Sequence, residues 1–156
     1  MNDSEADNPG IIAKPPLIYL AFILIGLALG YVWPVGIFPE SAWYAAGTAL
    51  IVFGVVIQAV ALWQFKKAGT RHETDKPATA LVTGGPFRYS RNPIYVSLTL
   101  IYAGIALLAN NLWVFVLLIP LHAVMQYGVI HREERYLERK FGEDYGRYKV
   151  AVRRWL

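Results

Sequence analysis

The chain has 156 residues, 56% hydrophobic and only 17% charged, with a formal net charge of +4. An ordinary soluble domain, in which about a quarter of residues are charged, is excluded. The absence of cysteine also excludes disulfides, thiolate nucleophiles and Cys-based metal sites.

Charge is missing in blocks. No Asp, Glu, Lys or Arg occurs between Lys14 and Glu40, between Glu40 and Lys66, or between Arg91 and Arg132. A helix crossing the bilayer core needs roughly 20 apolar residues, and each block exceeds that. The expected fold is therefore all-α, an integral membrane bundle of about four transmembrane helices in a single domain over residues 1–156.

In chain order, Met1 to Gly10 is acidic and expected to be disordered. The apolar run behind it lacks the basic flank and cleavage site of a signal peptide. The first span is read as Leu17 to Trp33, between Pro15-Pro16 and Pro34, and Val35 to Glu40 make a turn. The second span is Ser41 to Phe65, so residues 17–65 form a two-helix scaffold. A polar stretch, Lys66 to Arg91, is rich in Gly and Pro. The uncharged run that follows is too long for one span and is broken at Asn110-Asn111. It reads as a helical hairpin, Ile94 to Ala109 and Leu112 to Ile130. From His131 the chain is charged and reads as a cytoplasmic amphipathic C-terminal helix.

Lys and Arg are absent from the turns at Pro34–Glu40 and Asn110–Asn111. With four spans, every basic residue falls on one face, which the positive-inside rule makes cytoplasmic, with both termini on that face. Topology and anionic lipid heads thus account for the positive charge, and no nucleic-acid partner is expected.

Two polar segments flank the hairpin. The first, Leu81 to Tyr95, carries Gly84 and Gly85, which permit unusual dihedrals and close ligand approach. Pro93 stands at the start of a helix with Asn92 as its cap, and Arg91 beside it suits an anion. A turn with a capped helix would explain the same residues. The second segment begins with Glu133-Glu134 and continues through Phe141-Gly142 to Tyr145 and Tyr148. An ordinary solvated helix would carry such charges too. His122 and Gln126, four apart, share a helix face that Glu133 continues; they line a pocket or bond a neighbouring helix. The three histidines form no close set with the carboxylates, so no metal is expected.

Taken together, the run Leu81-Val82-Thr83-Gly84-Gly85-Pro86-Phe87-Arg88-Tyr89-Ser90-Arg91-Asn92-Pro93-Ile94-Tyr95 closely resembles the signature of the isoprenylcysteine carboxyl methyltransferase and phospholipid methyltransferase superfamily. Glu133-Glu134, Leu137, Phe141-Gly142, Tyr145 and Tyr148 match its second signature in order and spacing. The resemblance covers roughly the last half of the chain and implies a methyltransferase core over residues 78–156. It implies a membrane enzyme dependent on S-adenosylmethionine, acting on a lipid or amphiphilic acceptor, in a bacterial or archaeal cell membrane. Carried over by position, it implies cofactor contacts at Thr79, Ala80, Leu81, Val82, Phe87, Asn92, Pro93, Ile94, Tyr95 and Glu133, to which Gly85 is added for its close approach. Arg91, Tyr95, Glu134 and His122 are the candidate catalytic residues, and Arg132 and Gln126 the candidate substrate contacts.

Phe87 stands where the family often has Tyr. Val129 stands where the eukaryotic prenylcysteine enzymes place an Arg that holds the substrate carboxylate, with Arg132 the nearest replacement. The principal expectation is carboxylate O-methylation of isoprenylcysteine type. Phospholipid N-methylation, an NADPH-dependent sterol-reductase-like protein and a non-catalytic scaffold are the alternatives.

Overall fold

The computed structural model describes residues 9–37, 43–70 and 77–156. Several expectations lie outside the described residues: the disorder of Met1 to Asn8, the last three residues of the first turn, the opening Ser41-Ala42 of the second span, and Arg71 and Lys76 of the polar stretch.

Helix α1, Pro15–Val32, starts on its two prolines, where missing N–H groups cost nothing, and stops before Pro34. Helix α2, Trp43–Lys67, ends on Lys66 and Lys67, cations that suit the negative end of the helix dipole. Helix α3, Pro93–Leu108, begins on Pro93. Asn110, with φ of 43°, then reverses the chain, and the Asn111 side chain caps α4, Leu112–Val116, by accepting from Trp113 and Val114 N–H. Helix α5, Leu118–Met125, follows, then one wide π-helical turn, Gln126–Ile130, and then α6, His131–Ala151.

Two features correct the expected architecture. Among the described residues, three helices are long and apolar enough to cross a membrane: Pro15–Val32, Trp43–Lys67 and a continuous Leu112–Ala151. The third helix of the expected four has 16 residues, about 24 Å at ~1.5 Å per residue, short of a hydrocarbon core about 30 Å thick. Pro93 fixes its start and the Asn110 reversal its end. Nor is there a separate cytoplasmic amphipathic C-terminal helix. The charged residues continue the 40-residue helix that is itself a span candidate, because nothing between Tyr127 and Phe141 other than Gly128 interrupts helical propensity. The orientation drawn from loop charge assumed four crossings and so has no independent support from the span count.

Helix α3 packs along α2 through small residues. A Cβ on Gly47 would lie 2.9 Å from the Gly104 carbonyl oxygen, and one on Gly104 would lie 2.7 Å from that of Gly47. Such close backbone approach drives association where lipid removes the hydrophobic incentive. Helix α1 joins this pair through Tyr19, whose hydroxyl lies 2.8 Å from Thr99 Oγ1. Tyr19, Tyr102, Val114, Leu121 and Met125 belong to one buried core; Ala61, Val82, Phe87, Tyr145 and Tyr148 form a second at the loop end.

The wide turn at Gln126–Ile130 leaves a helical carbonyl to outside partners. The Gly128 carbonyl accepts from Ile12 N–H at 3.3 Å, and the Ile12 side chain fills the space a Cβ on Gly128 would need. Further on, α6 bends at Gly142, whose φ of 50° and ψ of −122° are accessible to glycine at little cost. The bend folds Tyr145 and Tyr148 back toward the 3-10 turn Gly85–Arg88.

Candidate functional site

The second core encloses a cavity of about 140 Å³. Four stretches supply its walls: Phe65 at the end of α2; Ala78, Ala80, Leu81, Val82 and Phe87 of the connecting segment; Arg91 to Tyr95 at the start of α3; and Glu133, Glu134, Tyr136, Leu137, Tyr145 and Tyr148 of α6, with Pro9 at the rim. The two segments singled out in the sequence thus face each other across one space.

Each wall is pinned by polar bonds. Thr70, nearly buried, accepts from Thr79 N–H at 2.9 Å and Ala80 N–H at 3.3 Å, and Ala78 N–H donates to the Tyr136 hydroxyl at 3.0 Å. The Tyr148 hydroxyl donates to the Phe87 carbonyl at 2.7 Å, and the Phe87 ring meets Phe65 edge-on at 5.3 Å. Gly85, with φ of +58°, sits so close to Gln64 that a Cβ would lie 2.6 Å from Nε2. A larger residue there would have to displace the Gln64 side chain and hold a positive φ that favours glycine.

Glu134 is the electrostatic centre. Its carboxylate is 3.0 Å from Arg91 Nη2 and accepts two bonds from Arg154, at 3.0 and 2.7 Å. It is 6% exposed. Through the same hydrogen bonds Glu134 raises the pKa of Arg154 still further. The tail is tied to the first segment along its backbone too. Arg91 N–H donates to the Arg153 carbonyl, while Ser90 Oγ and Asn92 Nδ2 donate to that of Arg154. Asn92 occupies the N-cap position without a side-chain cap bond; its side chain is turned to the tail, where Nδ2 donates.

Glu133 has a different environment. The Tyr95 hydroxyl donates to it at 2.6 Å, its one hydrogen-bond partner among the described residues, and both line the cavity. Arg91 Nε is buried with no hydrogen-bond partner. The cavity therefore offers one unspent buried donor, one accessible carboxylate and faces of Phe65, Phe87, Tyr95, Tyr136, Tyr145 and Tyr148. Aromatic faces attract cations, and the carboxylate adds to that attraction.

Of the residues singled out in the sequence, Ala80, Leu81, Val82, Phe87, Arg91, Asn92, Pro93, Ile94, Tyr95, Glu133 and Glu134 line the cavity. Thr79 stands just behind, its hydroxyl donating to the Gly69 carbonyl. Gly85 shapes the turn. His122, Gln126 and Arg132 are not among the lining residues. His122 stacks on Trp155 at 4.6 Å, Gln126 accepts from Trp155 Nε1 at 3.2 Å, and Arg132 donates to the Gly10 carbonyl at 2.6 Å. Sequence reading missed Phe65, Tyr136, Arg154 and Trp155. A second Arg twenty residues from Glu134 carries no local signal; the repeated Arg153-Arg154 before Trp155 was the only hint.

The model of the phospholipid methyltransferase family matches residues 42–144. That stretch holds every cavity-lining residue except Pro9, Tyr145 and Tyr148. An uncharacterised protein of Haemophilus influenzae is 49% identical over 65 residues, which are 40% of this chain and 100% of that protein.

Proposed function

This chain belongs to the phospholipid methyltransferase family, and from that premise we propose that it transfers a methyl group from S-adenosylmethionine to the amine of a phospholipid headgroup. When bound, that cofactor supplies an electrophilic methyl group on a sulfonium. The residues present fit it. The aromatic walls and Glu133 suit its cationic end, and the unspent Arg91 Nε suits a carboxylate or hydroxyl oxygen.

Methyl transfer needs in-line alignment and dryness more than elaborate acid–base groups. Aromatic and aliphatic walls exclude water, and the Phe87–Tyr148 and Thr70–Ala80 bonds hold their positions. An amine acceptor must lose a proton before or during attack. We assign that proton to Glu133 rather than Glu134, because two guanidinium groups already occupy Glu134 while Glu133 has only the Tyr95 hydroxyl. His122, stacked on Trp155, is assigned a packing role.

The observation that favours an amine over a prenylcysteine carboxylate is the absence of a free guanidinium for the latter among the described lining residues. Val129 is fully buried in the core, Arg132 points to Gly10, and Arg91 is held to Glu134 through Nη2, its remaining Nε being assigned to the cofactor above. We assign the cavity end, which carries Lys66, Lys67, Arg88 and Arg91, to the cytoplasmic side by the positive-inside rule.

Calorimetric titration of the detergent-purified protein with S-adenosylmethionine and its demethylated product tests the cofactor. Saturable binding that Glu133→Ala removes is the expected outcome. Folded protein that binds neither compound would sink the assignment. Transfer of labelled methyl to phosphatidylethanolamine, and not to a farnesylcysteine, then tests the acceptor.

A further inference from the structure

Outside the cavity, a second depression of about 460 Å³ runs between α2 and α3 beneath the 3-10 turn. Its lower wall is apolar: Phe53, Ile57 and Val60 of α2, a span candidate, and Val96 of α3. Its upper wall is Pro86, Arg88, Tyr89 and Ser90. Arg88 is exposed and has no ion pair or side-chain hydrogen bond among the described residues. The turn that carries it is seated against Gln64 and Phe65, at the end of α2 marked by Lys66 and Lys67. A cation at the rim above an apolar trough complements an amphiphile with an anionic head and a hydrocarbon tail.

We propose that this groove is the docking site of a glycerophospholipid, its phosphate on the Arg88 guanidinium and one acyl chain along Phe53, Ile57 and Val60. Pro93 lines the groove on one face and the cavity on the other, and Pro86 of the groove precedes Phe87 of the cavity. A lipid held there has its headgroup on the turn that carries Phe87 of the cavity wall. That the docked lipid is the methyl acceptor rests on the function proposed above; the docking itself does not.

The test uses the full chain in dodecyl maltoside micelles, which contain no phosphate, carrying phosphatidylethanolamine with a diazirine in one acyl chain. After illumination, adducts are mapped by peptide mass spectrometry. Adducts should concentrate on Phe53 to Val60 and on Val96. Arg88→Glu should lower them about ten-fold or more, the loss of one charged hydrogen bond, with background labelling of lipid-facing Leu20 and Leu24 unchanged. Val96→Trp, which fills the trough without touching the charge, should do the same. Unlabelled phosphatidylethanolamine should compete, whereas monoolein and inorganic phosphate should not. Labelling spread evenly over the exposed helix faces, indifference to Arg88→Glu, or equal competition by monoolein overturns the proposal. Adducts in the groove of a protein that binds no S-adenosylmethionine would refute the methyltransferase reading and leave the docking site standing. Cofactor binding with scattered adducts would do the reverse.

Discussion

The two ends of the bundle are held together by different forces. Away from the cavity, α1, α2 and α3 meet through glycines, Tyr19 and aliphatic side chains, and much of α1 and α2 faces outward: Leu24 is 56% exposed and Phe53 59%. At the cavity end, Glu134, Ser90, Asn92 and Tyr148 join segments distant in sequence through named polar bonds, and Thr70 holds the connecting segment. In lipid, apolar contacts between helices barely outcompete contacts with acyl chains, so the scaffold tolerates exchange of one apolar residue for another. A buried polar junction has no such tolerance, because each unpaired group keeps its desolvation cost. Sequence identity therefore matters most where the chain is least hydrophobic.

The sharpest way to break this contrast is at Glu134. Glu134→Ala leaves Arg91 buried without its counter-ion, and stability should fall by about 3–5 kcal/mol. Thermal unfolding in detergent would measure it; a change below 1 kcal/mol would mean the junction is ornamental. Gly142→Ala should cost about 1–3 kcal/mol, since only glycine takes those angles without strain. Limited proteolysis should show the segment after residue 142 released first, and uniform cleavage would contradict the hinge. Tyr95→Phe removes the bond to Glu133 and should weaken cofactor affinity about ten-fold, the worth of a charged hydrogen bond, with little change in melting temperature. At the scaffold end, Leu24→Ala should change stability by no more than about 0.5 kcal/mol. A larger loss there would show that the lipid-facing surface packs against something beyond lipid.

The same contrast decided what could be read from the residues alone. The Asn110-Asn111 reversal was legible because two consecutive asparagines interrupt an uncharged run, and one of them adopts the positive φ that asparagine tolerates. The meeting of the two polar segments was legible because a hairpin joins them. The span count was not. Loss of hydrophobicity marks where a chain leaves the bilayer, whereas Pro93 and Asn110 fix where a helix begins and ends. The passage from Ile130 to His131 misled for the converse reason: charge begins there, but nothing breaks the helix. The role of Arg154 was hidden because its partner is set by the fold-back at Gly142, a conformation no neighbouring residue announces.

The wide turn at Gln126–Ile130 sets the angular phase of everything beyond it. A π turn accommodates one residue more than an α turn, and one residue corresponds to about 100° of rotation about the helix axis. Deleting a single residue there would close it to a regular α turn and leave Glu133 and Glu134 nearly in place, whereas the same deletion in the regular helix between Leu118 and Met125 would swing both off the cavity. A one-residue gap is therefore tolerated inside this turn and damaging in the regular helix before it, so the wide turn is where the chain absorbs a change of length without moving the site.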